Sequence, residues 1–574
     1  MAAPSSAPHK PRRNKAKKTA TYDAIPKPEA LVRTPSFPLA AFLWPARGSV
    51  SQWEVLPLIL MAVGLFRWAA GLWGYSGFQA PPMFGDFEAQ RHWMEITTQL
   101  PISQWYFNDF QWWGLDYPPL TAYHSWLLGK IGAFIDPTWF ELFASRGIHD
   151  PTLKIYMRAT VIVSEYLIYI PAAVIFVRRY SRLFGVAPWT AWVALVAILM
   201  QPATILIDHV HFQYNTVMLG FVLSSMSSML AGRHMWAAVF FVAALGFKQM
   251  ALYYAPAVFS FLLGSCIYPR INVGRFATIA IATVISFAVL ILPITAHTPP
   301  LPIFPQLAEY LDTNAIYYPV VEQLVQMVHR VFPFSRGLFE DKVANFWCAI
   351  NVVIKMRKYP AVLLQRISLG ATLASIAPAN LILLFRPRKE LLPYAFAATA
   401  WGFFMFSYQV HEKSALLPLL PMTILLAGKQ GLGKDIRAWV GFANLLGAWT
   451  MFPLLARVDL KVPYVVLTLL WAYLLGLPPT STSAYFQEDQ SAWVQWSTAI
   501  IHGAFYILMI VWHGLAQFVT PPADKPDLWV VANVGIGCAG FILCYLWCLG
   551  KLVQESGILS RSVGQSIGGK SKTQ

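Results

Sequence analysis

The sequence predicts an all-α polytopic membrane protein of about 14 transmembrane helices, counting ~20 apolar residues per crossing. Three observations carry that prediction. The 574 residues are 57% hydrophobic and only 12% charged, with mean hydropathy +0.50, against ~25% charged residues in a soluble domain. Apolar runs long enough to cross a bilayer recur along the chain. The basic residues between them gather in short loops on one side, as the positive-inside rule requires.

The runs start near residues 53, 156, 188, 213, 274, 361, 390, 434, 460, 494 and 527. The stretch 235–267 is too long for one crossing and is expected to break around Gly246–Lys248 into two helices. A shorter run at 414–427 closes a hairpin with its neighbour, and 344–357 reads as an amphipathic helix lying on the surface. Four parts follow: a basic arm (1–50), a membrane module (51–345) with polar loops at 74–154 and 296–345, a second membrane module (346–552), and a tail (553–574).

Residues 1–33 carry eight Lys and Arg against Asp23 and Glu29, with no apolar period, so the arm is expected to be disordered. No long apolar stretch follows until about Trp53, which argues against a cleavable signal peptide. Arg178, Arg179 and Arg182, then Arg233, Arg270, Arg386, Lys389 and Lys434 fall on the side of that arm, the expected cytosolic side. An even number of crossings returns the C-terminus to the same side. The terminal Lys570-Ser571-Lys572 resembles a retrieval signal for the endoplasmic reticulum. The net charge of +16 sits in the arm and short loops and is not read as nucleic-acid binding. The five cysteines lie in or beside apolar runs, so neither a disulfide framework nor a zinc site is indicated.

The polar motifs collect on the other face: GDFEAQRHWMEIT (Gly85–Thr97), WGLDYPPLTAYHSW (Trp113–Trp126), DHVHFQYN (Asp208–Asn215) and QVHEKS (Gln409–Ser414). The first loop gathers Asp86, Glu88, Glu95, Asp109 and Asp116 among Trp93, Trp105, Tyr106, Trp112, Trp113 and Tyr117. Carboxylates among aromatic faces suit sugar chemistry at a membrane surface. Asp86 begins an expected helix, either as its N-cap or as a base for a sugar hydroxyl. Glu88 with His92 and Arg91 with Glu95 are i,i+4 pairs that a solvated helix face would also show. Asp116 precedes Tyr117-Pro118-Pro119, as a turn cap or as a second carboxylate for an acceptor.

His209 and His211 have a spacing that invites a metal, but two ligands make no site. Together with Gln213 they suit hydrogen bonds to a sugar or diphosphate, or the anchoring of a helix end. His411, Glu412 and Lys413 sit between two crossings, where a cation holds a lipid phosphate or snorkels beside a glutamate. Lys248 is an ionisable residue inside an apolar stretch, a functional candidate by position. Gly428, Gly433 and Lys434 imitate a phosphate-binding loop, but Asp435 stands where Ser or Thr would hold magnesium.

Those motifs, with GFKQMALYYAP and FPFSRGLFED, together resemble the dolichyl-phosphate-glucose-dependent α-1,3-glucosyltransferases of asparagine-linked glycosylation, from about residue 50 to 430. Among them the chain most resembles the enzyme adding the first glucose to the nine-mannose lipid-linked oligosaccharide, since its sister for the second glucose lacks GDFEAQR. The resemblance implies a GT-C fold in the endoplasmic reticulum membrane, with lumenal loops over a multi-span body. It implies dolichyl-phosphate-glucose as donor and a dolichyl-diphosphate oligosaccharide as acceptor. By motif, Asp86 would be the general base and Asp116 an acceptor-site carboxylate, with His411 and Lys413 at the donor phosphate. Arg91, Lys248 and Arg336 would be substrate contacts, and Glu88, Tyr117, His209, His211 and Gln213 line the same expected site. No cofactor and no metal are expected, because the departing lipid phosphate is already a stable anion. The competing classes are the sister activity, a mannosyltransferase of similar architecture, and a polytopic lipid or solute transporter, which would show related halves and helices broken at mid-membrane.

Overall fold

The computed structural model describes residues 35–47, 52–108, 111–297, 311–332, 342–486 and 492–558. Most of the basic arm, the end of the tail, Asp109, Arg336 and much of the Pro-rich loop lie outside them. The described residues are helical with turns, and no strand occurs among them.

The first crossing is α1 (Gln52–Gly71), and the first loop then forms α2 (Gly85–Gln99) and α3 (Pro119–Ile135). The chain re-enters as α4 (Pro151–Leu167) and α5 (Tyr169–Leu183), followed by α6 (Pro188–Leu199) and a π-helix at Ile205–Phe212. Next come α7 (Asn215–Leu230), α8 (His234–Phe247), α9 (Ala255–Ile267) and α10 (Val273–Thr295). Next in the chain come α11 (Tyr318–Val331) and α12 (Phe346–Val353). The second module holds α13 (Ala361–Phe385), α14 (Leu392–Phe406), α15 (Leu416–Thr423) and α16 (Lys434–Thr450), then α17 (Lys461–Leu474), α18 (Ala492–Phe518) and α19 (Leu528–Ser556).

Nine segments among the described residues are helical, long and apolar enough to cross a membrane, and α7, α8 and α17 are shorter apolar helices. Every apolar run read from the sequence is helical. The break expected near Lys248 is real: α8 stops at Phe247, Lys248 is extended, and a 3-10 turn at Gln249–Tyr254 leads into α9. Proline opens several helices, at Pro119, Pro151 and Pro188, where its missing N–H costs nothing. Asp150 caps α4 by accepting from the Thr152 amide at 2.6 Å.

The bundle has two chemically distinct ends. At one, Tyr180 donates to the Glu390 carbonyl (3.3 Å), Ser181 to Ala427 (2.7 Å) and Arg388 to Glu555 (3.1 Å), so the loops read as cytosolic lie side by side. At the other, α2, the end of the π-helix, Lys248 and the Glu412 turn converge. Close helix approach uses small residues: a side chain on Gly220 of α7 would meet the Tyr169 backbone of α5 at 2.7 Å. Ile281, Val284 and Val289 of α10 are exposed, as a lipid-facing helix requires.

Candidate active site

The site is built around the first turn of α2. The chain enters through two left-handed residues, Phe84 (φ 56°) and Gly85 (φ 65°). This turn rests on Gly77 (φ 82°), whose added Cβ would lie 1.8 Å from the Phe84 carbonyl oxygen. Ser76 ties it to the bundle: its amide donates to the His211 carbonyl (3.0 Å), and its hydroxyl accepts the Asp86 amide (3.4 Å). The helix N-cap is Phe84, with no side-chain cap. Asp86 is therefore the second helical residue, and its carboxylate is not spent on capping.

Three partners from distant parts of the chain meet at one oxygen of that carboxylate. Lys413 Nζ donates to Asp86 Oδ2, Gln213 Nε2 donates to it at 2.7 Å, and His211 Nδ1 lies 3.3 Å away. Oδ1 has no hydrogen-bond partner among the described residues, and the side chain is 22% exposed. Burial acts to raise the Asp86 carboxyl, but Lys413 and His211, with the hydrogen bonds from Lys413 and Gln213, outweigh it. Asp86 is held well below the usual carboxylate range. The result is an ionised carboxylate with one oxygen clamped and the other open at a membrane surface.

A model of the ALG6, ALG8 glycosyltransferase family matches residues 58–548. The chain belongs to that family. It is 43% identical over 526 residues to a Schizosaccharomyces pombe protein named "Probable dolichyl pyrophosphate Man9GlcNAc2 alpha-1,3-glucosyltransferase", covering 91% of this chain and 96% of that one. The Saccharomyces cerevisiae protein of that name, without the qualifier, is 42% identical, with 90% and 94% covered. The mouse protein so named is 34% identical, with 86% and 95% covered.

Within this ALG6, ALG8 family member, Lys248, Gln213 and Asp86 form a relay. Lys248 Nζ donates to Asn215 Oδ1 (2.6 Å) and lies 3.5 Å from Gln213 Oε1, while Gln213 presents its amide nitrogen to Asp86. Asn215 in turn donates to Asp208 Oδ1 at 2.8 Å. Lys248 lies 4.7 Å from the centre of the Tyr117 ring and within electrostatic reach of Asp116. The helix break thus lets a lysine leave an apolar run and join the site. His411 adjoins it: its Nδ1 accepts the Lys413 amide (3.3 Å) and lies 3.2 Å from Glu412 Oε2. Burial, then the Lys413 ammonium, push His411 well below the usual imidazole range, so the ring is neutral.

Other residues expected at the site are turned elsewhere. His209 and His211 do not converge: His209 Nε2 sits 2.6 Å from Glu165, while His211 faces Asp86. The pairs on α2 do not decorate a solvated face. Glu88, Arg91, His92 and Glu95 are all buried, and His92 approaches Glu95 (3.1 Å) rather than Glu88. Arg91 donates to Glu88 Oε1 (2.6 Å), Glu95 Oε2 (2.7 Å), Ser145 Oγ (2.6 Å) and the Trp139 carbonyl (3.1 Å), so its hydrogen bonds are made within the loop. Burial acts to raise Glu95, but the hydrogen bond from His92 and the charge of Arg91 bring it down to about 2.

Two structural devices have no counterpart in the sequence reading. Arg67 of α1 donates to Glu165 of α4 at 2.6 and 2.9 Å, a wholly buried pair that also holds His209. Arg158 donates to the His209 and Val210 carbonyls of the π-helix and to Gly74. The π-helix ends in a strained Phe212 (φ 91°), directly before Gln213. A lone charge inside an apolar run was the available signal for Arg67, Arg158 and Glu165, as it was for Lys248.

Proposed function

We propose that this glycosyltransferase moves glucose from dolichyl-phosphate-glucose to the terminal mannose of the nine-mannose dolichyl-diphosphate oligosaccharide, forming an α-1,3 bond. The relatives' names state that acceptor and linkage. The observation that carries the mechanism is the asymmetric Asp86 carboxylate, clamped through Oδ2 and open through Oδ1.

The donor sugar is β-linked and the product bond is α, so one in-line displacement with inversion is sufficient. The mannose 3-hydroxyl oxygen attacks glucose C1 as the bond from C1 to the phosphate oxygen breaks. Asp86 Oδ1 takes the hydroxyl proton, and dolichyl phosphate leaves with the electron pair. It leaves as a stable anion and needs cationic contact more than protonation, so the reaction is read as metal-independent. Lys413 supplies that contact, with neutral His411 beside it.

Lys413 also couples donor to base. It pairs with Asp86, and a donor phosphate competes for the same ammonium. Whatever share of Lys413 moves to phosphate returns basicity to Asp86. Gln213, braced by Lys248, keeps the carboxylate aimed while this exchange takes place. In the cell the active face is the lumenal side of the endoplasmic reticulum membrane, with both termini cytosolic.

The test is glucose transfer from dolichyl-phosphate-glucose to the nine-mannose acceptor by purified wild type and Asp86→Asn, with chelator present. Transfer by the wild type and near-complete loss in the variant are expected. A wild type inactive on this acceptor but active on its one-glucose form would assign the sister activity.

A further inference from the structure

The buried, mutually paired Glu88–Arg91–Glu95 cluster takes no part in the chemistry above. Its outer edges each hold an aromatic residue. Glu88 Oε1 accepts from the Trp112 indole at 3.4 Å, and Glu95 Oε1 accepts the Phe143 backbone amide at 2.8 Å. Between those rings lies Arg146, 5.2 Å from the Trp112 centroid and 4.7 Å from that of Phe143. The line continues the other way through Phe84 (6.3 Å from Trp112), His149 (5.6 Å) and Phe78 (5.4 Å). Six side chains thus form one continuous ridge on the first loop, and Phe84 within it lies two residues from Asp86.

The ridge is a built surface. Three of the six non-glycine residues with positive φ among the described residues belong to it or flank it: Gln79, Phe84 and Phe143. Such backbone persists only where surrounding structure enforces it, and it concentrates at ligand sites. Gly147 is bare so that the Phe84 ring can pass, since its Cβ would lie 2.5 Å from that ring. Phe78 and Phe143 are nonetheless 48% and 52% exposed, and His149 is exposed as well.

We propose that this ridge binds sugar units of the acceptor oligosaccharide other than the mannose that receives glucose. Aromatic faces pack against the C–H faces of pyranose rings, while a guanidinium and an imidazole set among them match hydroxyl groups. A lipid chain would call for an unbroken apolar surface, without Arg146 and His149. Phe84 joins the ridge to the Asp86 turn, which places the reacting mannose beside the ridge and the rest of the glycan along it. This assignment rests on the oligosaccharide acceptor proposed above.

The experiment is direct binding of the free nine-mannose glycan, without lipid, to the full-length protein in detergent. It is run beside transfer assays on the same preparations. Wild type and Asp86→Asn are expected to bind alike, while Phe143→Ala and Trp112→Ala weaken binding roughly tenfold each. Trp112→Phe should recover most of that loss, and the donor KM should not move in any ridge variant. Variants that bind glycan like wild type overturn the proposal. So does a wild type that transfers glucose yet shows no binding of free glycan. Equal loss of glycan and donor affinity would mark the ridge as an interfacial anchor instead. A wild type that binds glycan but transfers no glucose would sink the transferase reading and leave the ridge standing.

Discussion

Gln213 places its amide nitrogen 2.7 Å from Asp86 Oδ2 across 127 residues of chain. The contact fixes which oxygen of the carboxylate is left to react. Its partner Lys413 arrives at the same atom from the second membrane module. Removing the charge should therefore cost far more than loosening its aim. Asp86→Asn is expected to lower kcat by roughly 10²–10⁴-fold, and Gln213→Ala by only about tenfold with unchanged donor KM. Steady-state transfer assays measure both. A Gln213→Ala loss as large as that of Asp86→Asn would show that Gln213 does more than aim.

Asp86 sits below the usual carboxylate range because Lys413 and His211 outweigh its burial. It stays ionised on mild acidification, so the acid limb it imposes on kcat/KM should lie below about pH 4. Lys413→Met removes the largest lowering influence and leaves the burial, so the Asp86 value rises. The base is then lost to protonation at higher pH, and the acid limb moves up. A pH profile of kcat/KM at subsaturating donor and acceptor, where Lys413 is still paired with Asp86, checks this, with an unmoved limb as the contrary result.

The Arg67–Glu165 pair lies wholly inside the bundle. Arg67→Met leaves Glu165 buried beside His209 without its guanidinium, a loss of about 3–5 kcal/mol. The double variant Arg67→Met/Glu165→Leu should be more stable than Arg67→Met alone, because no unpaired carboxylate remains. Thermal unfolding of purified protein in one detergent ranks the three.

Gly77→Ala should lower both melting temperature and transfer, since φ is 82° and the new Cβ would meet the Phe84 carbonyl oxygen. Gly185→Ala has the same backbone sign (φ 66°) but no atom within 4 Å. It should show only the smaller cost of the conformation. Comparing the two separates backbone strain from displacement of the Asp86 turn.

The helices were legible because a helix that crosses a bilayer needs a long apolar run, whereas a barrel strand would show short alternating segments. The break at Lys248 was legible for a related reason, as a charge cannot remain inside such a run without a partner. The partners themselves were not. Arg67 and Glu165 are 98 residues apart, and nothing local couples them. The spacing of Glu88, Arg91 and Glu95 is the same whether the helix face is wet or buried, and the loop's folding over Arg91 decided the matter. His209 and His211 look equivalent in a short motif, yet the π-helix turns one towards Glu165 and the other towards Asp86. The Asp86–Lys413 pairing joins two motifs 327 residues apart, one the expected base and the other the expected phosphate contact.

That pairing also sets a schedule for the protein's birth. Ser76, His211 and Gln213 are synthesised early, but the ammonium that steadies the base belongs to residue 413. A nascent chain stopped before that turn carries Asp86 without its Lys413 partner. On the proposed mechanism, newly made molecules reach full turnover only once the second module has docked against the first loop. A chain-terminating mutation anywhere upstream of Lys413 should leave no residual turnover, however well the first half folds.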